Sequence, residues 1–112
     1  MTKPRICDDP LFVLLRTGEV AKFNASIAAG ASCDLTGSNL SRTDLRGLVA
    51  DGLDFSDCYF RMSDLRGVDF RNAKLEGASF ADANISGTYF PKEISPEEIN
   101  IALAHGTRVR YR

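Results

Sequence analysis

The chain has no tryptophan, one histidine, three cysteines and four prolines among its 112 residues. With His105 the only imidazole, a general base would need a nucleophile and an orienting group close by, and no pattern around it supplies them. No catalytic residue, cofactor, metal site or small-molecule substrate is expected. An odd cysteine count excludes a complete internal disulfide framework. Cys33 and Cys58 read as buried reduced thiols of a cytoplasmic protein, and Cys7 has no identifiable partner. The apolar run Leu11–Leu15 is too short for a membrane span or the core of a signal peptide, so no membrane association is expected. Neither charge dominates: the formal net charge is −1.

What is abundant is regularity. From Cys33 to Lys92 an apolar residue returns every fifth position: Leu35, Leu40, Leu45, Ala50, Phe55, Phe60, Leu65, Phe70, Leu75, Phe80, Ile85 and Phe90. Two residues before each stands a mostly small side chain, from Cys33 and Ser38 through to Ala83 and Thr88. Residues five apart point to opposite faces of a straight strand, and lie roughly 140° apart on an α-helix. Only a chain that bends once per unit puts all the apolar residues on one side. The period therefore predicts a coil with a hydrophobic axis, its turns stacked about 4.8 Å apart.

Units such as Cys33-Asp34-Leu35-Thr36-Gly37, Ser63-Asp64-Leu65-Arg66-Gly67 and Ala83-Asn84-Ile85-Ser86-Gly87 resemble those of the pentapeptide-repeat proteins. The ending from His105 to Arg110 is similar to that of short bacterial members. The resemblance implies an all-β solenoid, a right-handed quadrilateral β-helix with four units per coil. Twelve units then make about three coils, roughly 14 Å of solenoid at the strand spacing. Residues twenty apart would stack, giving inward columns Leu35/Phe55/Leu75, Leu40/Phe60/Phe80, Leu45/Leu65/Ile85 and Ala50/Phe70/Phe90. The large Leu48 offsets Ala50 within one unit; Leu53 is oversized without such a reason. Six units close with Gly and six with Arg42, Asp57, Met62, Asn72, Asp82 and Lys92, which predicts two turn types in near alternation.

The flanks read as caps, dividing the chain into 1–32 (N-terminal helical hairpin), 33–92 (repeats) and 93–112 (C-terminal helix and basic tail). Asp8-Asp9-Pro10 is a helix start, Gly18 a stop, and Gly30 the residue ending a second helix over 19–29. The stretch Leu14-Leu15 to Ala31 resembles part of an ankyrin repeat, but a single such hairpin needs neighbours and here would cover the first coil's edge. Ser95-Pro96-Glu97-Glu98 is a capping box opening a helix from about Pro96 to His105, with His105 satisfying the terminal carbonyls and Gly106 as the stop.

The charges bear most on function. Residues 33–92 carry nine acids against seven bases. Long, strongly acidic dimers of the family imitate duplex DNA and bind DNA gyrase, and such mimicry requires continuous rows of negative charge. Here Asp44 and Asp64 stack, but Arg46 and Arg66 flank them, a solvated and charge-paired lattice. The expected function is a non-catalytic scaffold or adaptor that binds an unidentified protein through a flat face, with a homodimer allowed; a gyrase- or topoisomerase-directed DNA mimic is the alternative, and other nucleic-acid binding is not expected. Tyr59, Arg61, Arg71 and Tyr89 are the candidate contact residues, being outward-facing and of the types enriched in binding hot spots. On the fourth face Val49, Tyr89 and Pro91 form a weakly polar surface, either an interface or the seat of a terminal segment. Arg108, Arg110 and Arg112 read as a solvated basic terminus.

Overall fold

Every repeat bends, and the bend is a tight turn closed by a backbone bond across three residues. Ser38 N donates to Leu35 O, Leu48 N to Leu45 O, and Cys58 N to Phe55 O, and so on along the coil. In the computed structural model, which describes residues 9–111, four such turns return the chain beside itself. Asn39 bridges Tyr59, Asp44 bridges Asp64, Val49 bridges Asp69 and Asp54 bridges Lys74, all parallel and twenty residues apart. A second level repeats the register through Tyr59–Ser79, Asp64–Asn84 and Asp69–Tyr89. Bonds such as Leu40 N to Tyr59 O (2.8 Å) and Tyr59 N to Ser38 O (3.0 Å) tie each level to the next.

The all-β expectation is met only in part. Among the described residues the pairing consists of isolated bridges, no continuous strand forms, and the only extended regular elements are three helices. A bend every fifth residue leaves too few extended residues on each face for a longer ladder.

The turns also depart from expectation. Besides the six closing glycines, Arg42, Asp57, Met62 and Asp82 take positive φ, between 56° and 61°, so ten of the twelve units share the left-handed corner and only Asn72 and Lys92 do not. Left-handed backbone costs an ordinary residue on the order of 1–2 kcal/mol. The inter-level bonds offset that cost at these corners: Arg42 N donates to Arg61 O, Asp57 N to Glu76 O and Met62 N to Ala81 O, while at Asn72 the register holds with a corner of another type, through Gly52 N to Asn72 O.

Inside, the four columns pack as aligned stacks. Leu40, Leu45, Phe55, Phe60, Leu65, Phe70 and Leu75 are fully buried, while Ile85 and Phe90 at the last level are partly buried. Phe60 and Phe80 stack with ring planes 7° apart and centroids at 5.2 Å. Phe55 meets Phe60 and Phe70 edge-on at 5.8 and 6.0 Å, so neighbouring columns interlock. Leu48 is buried and Leu53 lies partly buried against the same core. The small inward residues do more than fit: Cys58 Sγ donates to Leu35 O (2.9 Å), Ser63 Oγ to Leu40 O (2.6 Å) and Thr88 Oγ1 to Leu65 O (2.5 Å). Each reaches the turn carbonyl of the level beneath. Ser38 Oγ, on the first level with no coil below it, is buried without a partner among the described residues. Cys33 is half-buried at the same level, and Cys7 lies outside the described residues.

Helix α1 spans Pro10–Arg16 and α2 spans Val20–Ala28. Asp9 Oδ1 accepts from Leu11 N at 2.8 Å, the expected cap. Gly18, at φ 78°, lets its own amide reach Leu15 O and the Glu19 amide reach Leu14 O, which ends α1 and starts α2 almost at once. Phe12, Leu15, Val20 and Phe23 are buried. Helix α3 spans Pro96–His105, where Ser95 Oγ accepts from Glu98 N and Gly106, left-handed, closes the end through Ala102 O. The capping box is only half made, because the Glu98 carboxylate turns to the Arg110 amide and guanidinium (3.3 and 3.5 Å). His105 is exposed and, among the described residues, makes no bond to the helix carbonyls; the Gly106 amide reaches Ala102 O instead.

Candidate functional site: the outer faces of the coil

Residue types on the outside follow from the turns. The outward Asp or Asn of a unit accepts from the backbone amide two residues on: Asp34 from Thr36, Asn39 from Ser41, Asp54 from Ser56 and Asn84 from Ser86, at 2.9–3.2 Å. Much of the acid count is therefore spent on holding corners.

On the third face, Arg46 clamps Asp44 through Nε and Nη2 (2.9 and 2.7 Å) and reaches Asp64 Oδ2 at 3.4 Å, while Arg66 clamps Asp64 in the same way. The forked bonds hold the Asp44 carboxyl at about 2 and lower that of Asp64. Both carboxylates stay ionised at neutral pH, and neither can act there as a general acid. The stacked pair is a structural clamp.

The two surfaces singled out from the sequence differ in state. Tyr59, on the second face, is half-buried because the C-terminal segment reaches it. Arg108 lies 5.1 Å over the Tyr59 ring, donates Nη2–H to its hydroxyl at 2.5 Å and Nη1–H to Gly77 O at 3.1 Å, and stands 3.5 Å from Asp57. Arg108 bridges Ser79 in antiparallel sense, Val109 is fully buried, and the Tyr111 hydroxyl accepts from Leu75 N at 2.9 Å. Arg108 is thus no part of a solvated terminus, whereas the Arg110 side chain is exposed as expected and Arg112 lies outside the described residues: the backbone of 108–111 runs along the last coil's edge on the first and second faces. Periodicity could not show this, since the tail has no repeat. Gly77 is tightly held at this contact; at φ 81°, an added Cβ would stand 2.0 Å from Asp57 Oδ1. Arg61 remains exposed beside Tyr59.

The fourth face is not where the described tail folds. Val49 and Tyr89 are 59% and 54% exposed, joined through Asp69 by parallel bridges. Arg71 is fastened to Asp69 through Nε and Nη2 (3.0 and 2.8 Å), and its guanidinium lies 4.6 Å over the Tyr89 ring. The forked bond holds the Asp69 carboxyl at about 2. Pro91, expected outward, is buried. A shallow depression of about 380 Å³, lined by Ala25, Ile27 and Ala28 of α2 with Val49, borders this face. The structure does not bring Tyr59/Arg61 and Arg71/Tyr89 together: they are two sites on two faces.

Compared with known proteins, the chain matches the family model for pentapeptide repeats in eight copies, over residues 31–61 and 54–90. The chain belongs to the pentapeptide-repeat family. No curated protein and no solved structure matches it. Among the described residues no helix is long and apolar enough to cross a membrane.

Proposed function

We propose that this protein is a non-catalytic scaffold or adaptor that binds a protein partner through a flat face of its coil, taken as the right-handed, four-sided β-helix of the family and acting in the cytoplasm. One observation carries the reading: the fourth face displays Val49 and Tyr89, with Arg71 pinned over the tyrosine by Asp69. A large aromatic ring and a guanidinium already held in place lose little rotamer freedom on binding, the property that makes such residues hot spots. Isothermal titration against a partner recovered from the native host tests this. Val49→Glu with Tyr89→Ala should weaken binding at least about tenfold, the scale of a hot-spot loss. A partner indifferent to that pair and to Arg71→Ala would remove the fourth face from consideration. The DNA-mimic alternative finds less support, because Arg46 and Arg66 neutralise the acids that a mimic would display.

A further inference from the structure

The coil's arginines fall into two populations. On the third and fourth faces Arg46, Arg66 and Arg71 each grip the aspartate two residues before them. Along the second face they do not. Arg16 of α1 stands at its N-terminal edge, with Nη1–H donated to Ser41 O at 2.6 Å. Arg42 and Arg61 follow on successive levels, their backbones joined by Arg42 N to Arg61 O at 2.8 Å. Both side chains are exposed, and neither meets a carboxylate among the described residues. Arg108 closes the row over Tyr59, shared with Asp57. Among the described residues the acids at this face are Asp57 and Asp82, so a molecule of net charge −1 gathers described cationic groups on one side. Next to the row lies a cleft of about 410 Å³ between the coil and the end of α3, walled by Tyr59, Arg61, Ser79, Asp82 and His105.

We propose that the second face is the docking surface for an acidic, extended segment of a partner protein, its carboxylates on Arg42 and Arg61 and its backbone in the cleft beside Tyr59. An unpaired guanidinium offers a planar fork of donors that matches a carboxylate. Side chains on one side of an extended segment recur roughly every 7 Å, within the sweep of arginines on stacked levels about 4.8 Å apart. Nucleic acid fits less well, because Arg108 covers the Tyr59 ring that would otherwise stack a base, and Asp57 and Asp82 interrupt the row. The proposal rests on the scaffold reading but uses a face that shares no residue with Val49, Arg71 and Tyr89, so the two fail separately.

Fluorescence anisotropy of a labelled oligoglutamate peptide with the full chain at low ionic strength tests it. Saturable binding is expected, weakened by added salt and reduced at least about tenfold by Arg42→Glu with Arg61→Glu. Because Arg42 holds a left-handed corner, Arg61→Gln, at an exposed and unstrained position, serves as the second variant and should cost about threefold. Val49→Glu with Tyr89→Ala should leave the peptide's affinity unchanged. The proposal is overturned by no binding at millimolar protein, by affinity unchanged from the unaltered protein in both second-face variants, or by single-stranded DNA of equal charge binding more tightly than the peptide. If a native partner is lost on mutating the fourth face while oligoglutamate is ignored, the scaffold reading survives and the acidic-segment proposal does not.

Discussion

At the scale of single residues, each position of the five-residue unit answers to a different force. The central apolar residue fills a column, and Phe70 shows the cost of emptying one. It is fully buried, meets Phe55 and Phe60 edge-on and stacks with Phe90. Phe70→Ala should destabilise by about 3–5 kcal/mol in denaturant titration, through lost burial and a cavity the rigid levels cannot close. A loss under about 1 kcal/mol would mean that the column collapses freely. The outward aspartates act through charge. Asp44 and Asp69 titrate at about 2 instead of the ordinary 3.8, held down by the guanidinium bonds of Arg46 and Arg71. A lowered folded-state value means that the unfolded chain takes up protons first on acidification. Their contribution is therefore complete above about pH 4 and is lost as the pH falls towards 2, so the thermal midpoint should be flat above about pH 4 and drop between those limits. Arg46→Gln with Arg71→Gln should shrink that drop.

At the scale of elements, side chains and a short tail do what a further coil would have done. On the first level, Asn24 of α2 donates Nδ2–H to Gly47 O (2.9 Å) and accepts from Val49 N (3.0 Å), copying the two bonds of a strand residue. Asn24→Ala should cost on the order of 1 kcal/mol and speed amide exchange at Val49 while leaving Phe60 and Leu65 protected. Equal exchange at Val49 in both proteins would show that this pair of bonds does not protect the edge. On the last level, Gly77 N donates to Val109 O and Val109 N to Ala78 O. Ending the chain before Thr107 should bare those groups and the partly buried end of the core, and light scattering should then report concentration-dependent association. A truncated chain that stayed monomeric would show that the tail does not guard the edge.

At the scale of the whole molecule, charge placement outweighs charge total. The acids are distributed as turn holders and arginine partners, so no continuous anionic row forms on the third face. A supercoiling assay at micromolar protein should show no inhibition or protection of gyrase, and duplex DNA should not be retarded at physiological salt. Salt-sensitive inhibition abolished by Asp44→Lys with Asp64→Lys would place DNA mimicry first.

How much of this was legible beforehand depends on whether a repeat carried it. The stacking of residues twenty apart, the buried columns and the bounds of α3 follow from period and capping chemistry, because each repeats or is decided within a few residues. The left-handed corners at Arg42, Asp57, Met62 and Asp82 were not legible: their side chains prefer other backbone, and only bonding between levels overrides them. The candidate residues were legible as types. Their surroundings were not, since Tyr59 is met by a residue 49 positions away and Arg71 stacks on a ring in the next coil. The sequence by itself therefore determined the coil's register, its filled axis and where its helices begin and end, because periodic burial and local caps are short-range facts. Only the tertiary structure decided which face the tail occupies and which arginines are left to meet a partner, because those contacts join segments that no local rule relates.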